Sequence, residues 1–490
     1  MKFANHNLTH DIKLTANMGE LVPVACFEAL PGDVVNHEIA CLIRTQPLVT
    51  PVMHKAEVKL HTWFVPYRLL HSGWEDFITG GQDGLDATVL PTIALPSIAV
   101  GSLADYLGIP VSASAKTVSA FPFRAYTHIW NNYYRDQDLQ TELPINLGSG
   151  ADATTSVLLQ NACWEKDYFT SARPTAQKGS AVTVPLTGSA PVVTNNQNVL
   201  ITDQNSAPEQ TWNHTSAVGN PLVMGGGTIG SNAAIRFGSQ SGLTANLSAV
   251  TGININDLRL VVALQRFKEN MSRYGSRYME RLEQAFGVTN LDARLQLPEY
   301  LGGGSQTLQF SEVLQTAEGV NPTGTLRGHG IGAMRSNRYK TKIPEYGVII
   351  TLMVARPKTQ YVDGLNRMWS RLTKEDYYQP ELENLGAQAV RNKEVYHAHT
   401  TPDGTFGFQD RYDEYRRIES RIAGDFRTTL DSWHMARKFT SDPALNATFV
   451  SANPTNRIYA VTSADQLLVY CNHNLYVRRR LSKISKPMLF

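Results

Sequence analysis

Alternation of apolar and polar positions is the clearest pattern in the chain. From Lys55 to Phe64, the residues Ala56, Val58, Leu60, Thr62 and Phe64 interleave with Lys55, Glu57, Lys59, His61 and Trp63, which predicts a half-buried strand that Pro66 ends. Val34 to Arg44 and Leu467 to Val477 are further β-rich runs, and Val348 to Val354 is apolar enough to be central in a sheet. These runs lie hundreds of residues apart, so the sheet they build is non-local. Helical spacing sits between them. Asn256 caps a segment in which Leu258, Val261, Val262 and Phe267 recur; after a break near Gly275, Tyr278, Leu282 and Phe286 resume before Gly287. Residues 74 to 78 and 364 to 397 read as mixed, helix-containing connections.

Between about 175 and 250 the composition shifts to Gly, Ser, Thr, Asn and Val, with short β-like pieces at Val182-Thr183-Val184 and Val199-Leu200-Ile201. This predicts a long insertion with few charges. No repeat of fixed period is visible, which disfavours a solenoid or a propeller. Gly302, Gly303 and Gly304 resemble a phosphate loop by letter, but no Lys follows, and Thr307 to Ser311 alternates as a strand does. They predict a structural turn entering a strand. Gly328 to Ala333 fits G-x-G-x-x-A, yet neither a buried strand before it nor a helix after it supports a dinucleotide site.

Other catalytic signals are equally sparse. His397 and His399 share one face of an extended segment, and His54, His61 and His71 are close in sequence, but no H-E-x-x-H or Cys/His set accompanies them. Hydrogen-bonded core or surface histidines are the expectation, with no metal and no cofactor. Asp410, Asp413 and Glu414 in FQDRYDEYRR have the residue types of a glycosidase acid/base pair, but Arg411, Arg416 and Arg417 interleave with them, the mark of a salt-bridged surface or subunit contact. There is no G-x-S-x-G elbow. The four cysteines, Cys26, Cys41, Cys163 and Cys471, lack C-x-x-C spacing and read as free, mostly buried thiols of a reducing cytosol. No secretory pattern opens the chain and its longest apolar run, Val348 to Ala355, is too short to span a bilayer, so no membrane insertion is expected.

Composition adds one point. Of 490 residues, 42% are hydrophobic and only 18% charged, with a net charge of +2, so much of the surface is expected to face partners and any nucleic-acid contact must be local.

The stretches GELVPVACFEALPGD (19 to 33), QPLVTPVMHKAEVKLHTWFVPYRLL (46 to 70), WEDFITGG (74 to 81), IWNNYYRD (129 to 136), WEKDYFTSARP (164 to 174) and PEYLGGGSQ (298 to 306) resemble the major capsid protein of the Microviridae, particularly its gokushovirus-like branch. RMWSRLTKEDYYQPELENLG (367 to 386) and DFRTTLDSWHMARKF (425 to 439) continue the likeness in the same order. It is weakest from about 178 to 250, from 440 to 465 and in the tail. The resemblance implies a mainly β chain, an eight-stranded antiparallel jelly roll with long helix-bearing insertions, acting as one capsid domain over residues 1 to 490. It implies a non-enzymatic virion protein that assembles with itself, through pentamers, into a T=1 icosahedral shell around circular single-stranded DNA. Assembly would take place in the host bacterial cytoplasm. A DNA pilot protein, a small basic internal protein and a host surface receptor are the further partners implied. A β-sandwich protein that binds or hydrolyses polysaccharide is the alternative from another class.

Two segments carry their own expectations. Residues 178 to 250 are read as a surface excursion, either a host-facing protrusion or a loop at a subunit seam. Residues 474 to 490 are read as a basic C-terminal arm in which Arg478, Arg479, Arg480, Lys483 and Lys486 contact phosphates and Tyr476 stacks on a base, or in which the cations pair with a neighbouring subunit's carboxylates.

Overall fold

The computed structural model describes residues 3–183, 192–194, 200–203, 210–213, 223–224, 235–237, 243–246, 255–289, 295–316 and 323–483. The chain divides into two units, residues 1–178 with 269–490, and Gly179–Lys268.

In the first unit ten strands hydrogen-bond along one antiparallel path. They are β1 (Ala4–Asn7), β2 (His10–Ala16), β3 (Val22–Ala29), β4 (Val34–Thr45), β5 (Ala56–Pro66), β6 (Glu299–Leu314), β7 (Leu326–Arg335), β8 (Tyr339–Lys342), β9 (Gly347–Pro357) and β10 (Leu467–Arg479). The order is β1-β10-β4-β7-β6-β5-β9-β3, with β2 also on β10 and β8 also on β4. Two of the ten are continuations. β1 and β2 pair with successive stretches of β10 and break only at Leu8 and Thr9, and β7 and β8 pair with successive stretches of β4. Joining each pair leaves eight strands.

The path folds over at β6, whose first part, Glu299 to Leu308, pairs with β5 while Gln309 to Leu314 pairs with β7. Two four-stranded sheets result: β1/β2-β10-β4-β7/β8, and β6-β5-β9-β3. Except between β5 and β6, each successive strand crosses to the other sheet, as in a jelly roll, and the curled antiparallel architecture is compatible with that expectation. The very long connections are residues 67–298, between β5 and β6, and 358–466, between β9 and β10.

Between the sheets lies a core that includes Val24, Ile39, Ile43, Val58, Leu60, Met353, Val469 and Cys471. The sheet containing β9 is buried on its other side as well. Val348, Ile350, Leu352 and Val354 of β9 join a cluster with Trp63, Trp74 and Phe121, Phe123, Tyr126 and Ile129 of helix α1 (Phe121–Ile129). Burial on both faces explains the nearly unbroken apolar run of β9, each large side chain contributing about 1.5–3 kcal/mol. It also explains why Trp63 is buried although it falls on the polar phase of β5.

The Gly302 to Gly304 turn is corrected: all three lie inside β6, beside a bulge between Tyr300 and Gly302. A Cβ on Gly303 would stand 2.1 Å from the Leu60 carbonyl oxygen, so glycine here admits a close backbone approach. Likewise Gly328 to Ala333 is strand β7, where a Cβ on Gly330 would meet Thr45 Cγ2 at 2.7 Å and one on Gly332 would meet Leu308 Cδ2 at 2.7 Å. The expected helices are found as α2 (Ile255–Arg273), in which Asn256 lies within the helix rather than capping it, and α3 (Tyr278–Phe286), with left-handed Gly275 between them and Gly287 closing the second.

In the second unit, Leu200–Asp203, Gln210–Asn213, Val223–Met224 and Ile235–Phe237 form one antiparallel sheet, and Val192–Thr194 pairs with Leu243–Ala245. Val182 and Thr183 are not in a strand; Val184 and Val199 lie outside the described residues.

Candidate nucleic-acid interface

Among the described residues of the basic segment, 474 to 479 are strand rather than a free arm. Residues 474 to 479 complete β10, which is held between β4 and the β1/β2 strand. Period-two alternation therefore sorts its side chains to opposite faces. Tyr476, opposite Asn36 and Asn7, is 44% exposed on the outer face. Arg478, also outward, places its guanidinium 5.2 Å from the ring centre of Phe3, and Arg480 lies 5.1 Å from the same ring. Lys483 is exposed, and Lys486 lies outside the described residues.

Arg479 takes the opposite phase. Its Nη2 donates to Oδ2 of buried Asp33 at 2.7 Å, and the same carboxylate oxygen accepts from the Leu30 backbone N–H at 3.0 Å. This side chain closes the β3–β4 turn onto the last strand and is not presented to a ligand. The segment thus offers Tyr476, Arg478, Arg480 and Lys483 as accessible groups.

Beneath the same strand lies a cluster that sequence reading missed. His37 and His473, both buried within the core, are joined Nε2 to Nδ1 at 3.1 Å; His10 stacks on His473 with ring centres 4.8 Å apart, and Tyr339 Oη lies 3.0 Å from His37 Nδ1. Burial, reinforced by the neighbouring imidazoles, pushes His37 down to about 3; burial and His10 push His473 down to about 4. Cys41 and Cys471 also face each other across β4 and β10, Sγ to Sγ 2.6 Å, and all four cysteines are free. Only inward phase hinted at these pairs, because their members are over 400 residues apart.

The other candidates are tied into the fold. His54 Nε2 lies 2.7 Å from the Lys358 carbonyl, His61 Nδ1 2.8 Å from Tyr134 Oη, His71 Nδ1 3.2 Å from the Leu147 carbonyl and His397 Nδ1 3.0 Å from the Asp363 carbonyl. His397 and His399 sit in a turn, not an extended segment, because the short helix Asn392–Val395 reverses the chain just before them. Among the described residues no group of three or more His, Cys, Asp or Glu is arranged to hold a metal. Asp410 pairs with Arg173 at 2.8 Å, Asp413 with Arg417 at 2.8 Å, and Glu414 with Arg371 at 3.2 Å. All three carboxylates are partners of arginines, but only Asp413 pairs with the interleaved Arg416 and Arg417, whereas Asp410 and Glu414 take arginines far away in sequence.

Known proteins align with almost the whole of this architecture. Residues 2–489 match the family model described as capsid protein (F protein). The chain is 36% identical to capsid protein VP1 of Bdellovibrio phage phiMH2K, over 94% of this chain and 90% of that protein. It is 32% identical to capsid protein VP1 of Chlamydia phage 1 (98% and 94% covered) and 31% identical to that of Spiroplasma virus 4 (99% and 94%). The sandwich, its long insertions and this full-length similarity agree: the chain belongs to the phage capsid protein (F protein) family, a family of structural virion components rather than enzymes.

Proposed function

We propose that this chain is the coat subunit of a T=1 icosahedral shell, assembled through pentamers around a circular single-stranded DNA genome. The observation that carries the assembly reading is the apolar surface left on the single chain. Ile418 is 95% exposed, Leu372 90% and Trp369 70%, all in the long connection between β9 and β10. Trp369 and Ile418 line one cleft together with Met368, 55% exposed, and a contiguous exposed apolar patch marks an association surface. Closed shells follow when such heterologous contacts rotate to closure. Assembly takes place in the host cytoplasm, where a pilot protein and a small basic internal protein join the particle.

Residues 178 to 250 supply an excursion on the outside of the particle that meets a host receptor. Tyr476, Arg478, Arg480 and Lys483 face the genome. Purified protein examined by electron microscopy and sedimentation tests the reading: isometric particles of one diameter, or pentamers that convert to them, are expected. Persistent monomer at high concentration, with and without the viral partners, overturns it.

A further inference from the structure

The two sheets of the sandwich are finished differently. The sheet containing β9 is covered by helix α1 and its neighbours, whereas among the described residues the outer face of β2, β10, β4 and β8 is approached only at its Tyr470 end, by the segment around Tyr106, and leaves Leu42, Leu468, Tyr470 and Tyr476 exposed. Strand register fixes what this face displays. Along β10 run Leu468, Tyr470, Asn472, Asn474, Tyr476 and Arg478, flanked in register by Arg44, Leu42, Ala40, Glu38, Asn36 and Val34 of β4. Lys13 stands beside Tyr470, and Lys340 and Lys342 stand beside Asn36 and Val34.

Charge on this face is unbalanced. Lys13, Arg44, Arg335, Arg338, Lys340, Lys342 and Arg478 are set against Asp11 and Glu38, already paired with Lys13 and Arg335, and against Asp105 and Asp465 at the Tyr470 end, where Asp105 lines the cleft and Asp465 accepts from Thr15 of β2. A surplus of three cations remains among the described residues. Tyr470 and Tyr476 are 38% and 44% exposed and stand roughly 20 Å apart along the strand, a span of about three extended nucleotides. Asn472 and Asn474 lie between them with amide donors and acceptors for base edges. At the Tyr470 end opens a cleft of about 840 Å³ whose lining includes Leu42, Leu468, Tyr106, Lys13 and Arg44.

We propose that this sheet face is a binding platform for single-stranded DNA. Tyr470 and Tyr476 stack bases, Arg44, Lys340, Lys342 and Arg478 neutralise phosphates, and the cleft beside Tyr470 receives a base. The proposal rests on the reading that the coat encloses such a genome, and it moves the contact from a terminal arm to the body of the fold. Charge selects the occupant. A small basic protein is repelled by the cation surplus, and a second copy of the same face would bring like charges together, whereas a polyanion with exposed rings satisfies both features.

The test uses purified capsomers of the full chain and fluorescent oligothymidylate, read by anisotropy over a range of salt. Tyr470→Ala and Tyr476→Ala are each expected to weaken binding roughly tenfold, and Tyr→Phe at either site to preserve it. Arg44→Gln with Lys340→Gln should flatten the logarithmic salt slope by about 1.4, at about 0.7 for each phosphate that is no longer neutralised. Asn472→Asp with Asn474→Asp adds two negative charges while keeping side-chain size, and should weaken binding even if an alanine variant fails to fold. Lys374→Gln, which removes an exposed cation in the connection between β9 and β10, is expected to leave binding unchanged. If the face variants bind like the parent while Arg480→Gln with Lys483→Gln binds more weakly, the platform is refuted and genome contact through the terminus stands. If the parent capsomer binds no oligonucleotide at low salt, both fail.

Discussion

Replacing Arg124 by methionine is expected to be among the most destabilising single changes in the chain. Arg124 lies fully buried in helix α1, under the sheet containing β9. Its Nε donates to Asp152 Oδ2 at 2.8 Å, Nη1 to the Leu70 carbonyl at 2.8 Å and Nη2 to the Gly148 carbonyl at 3.0 Å. Methionine keeps most of the stem's volume but leaves Asp152 without a countercharge. The carboxylate retains bonds from the Thr154 and Thr155 backbone N–H groups and the Thr155 hydroxyl, so it stays solvated by dipoles, while two carbonyls are orphaned. Breaking a buried pair costs about 3–5 kcal/mol, and the orphaned carbonyls hold the loss to the upper part of that range. Urea unfolding of capsomers at fixed protein concentration, followed by tryptophan fluorescence, reads this directly, since Trp63, Trp74 and Trp130 lie in the same cluster. Adding Asp152→Asn removes the stranded charge and should recover about 2 kcal/mol in a double-mutant cycle. A single variant within about 1 kcal/mol of the parent, or a double variant as unstable as the sum of the singles, would refute the reasoning.

Arg479→Gln strands the buried Asp33 and is expected to cost about 1.5–3 kcal/mol without changing oligonucleotide affinity, whereas Arg478→Gln with Arg480→Gln should lower affinity with little loss of stability; urea midpoints and anisotropy on the same preparations separate the two. Below pH 6.5 the unfolded chain binds protons that His37 and His473 refuse in the fold, so their contribution to stability is complete above about pH 6.5 and is lost as pH falls toward 3–4, at up to about 1.4 kcal/mol per pH unit for each. Urea midpoints between pH 7 and 4.5 should show a slope of this sign, and replacing both histidines by Gln should reduce it by their share, leaving that of His54 and His61, which burial also pushes down to about 4. Gly330→Ala drives a methyl to 2.7 Å from Thr45 Cγ2 and 2.9 Å from the Phe310 ring, and should lower the thermal midpoint by an amount equivalent to about 1–3 kcal/mol.

Local periodicity carried much of the fold into the sequence. The alternation of β4, β5 and β10 and the apolar run of β9 were legible because one or both faces are buried, and Gly275 and Gly287 marked the helix breaks because both adopt left-handed backbone. Pairing was not legible, since β10 joins β4 across more than 400 residues and nothing local encodes a partner. The glycines of β6 looked like a turn and those of β7 like an unsupported dinucleotide fingerprint, because a strand residue chosen to admit a neighbouring backbone or ring carries no pattern of its own. The basic segment was found by charge, but reading it as an arm hid the strand phase that turns Arg479 inward to Asp33 and leaves Tyr476 and Arg478 outside. Tyr470, Arg44, Lys13, Lys340 and Lys342 join them only after the sheet is assembled, so composition gave no sign of that surface.

A density map of genome-filled particles at side-chain resolution tests the central claim most directly. A closed icosahedral shell is expected, with the outer face of β2, β10, β4 and β8 turned toward the lumen and nucleic-acid density stacked on Tyr470 and Tyr476. A shell in which that face points to solvent, or is covered by another coat subunit while ordered DNA lies elsewhere, would contradict it.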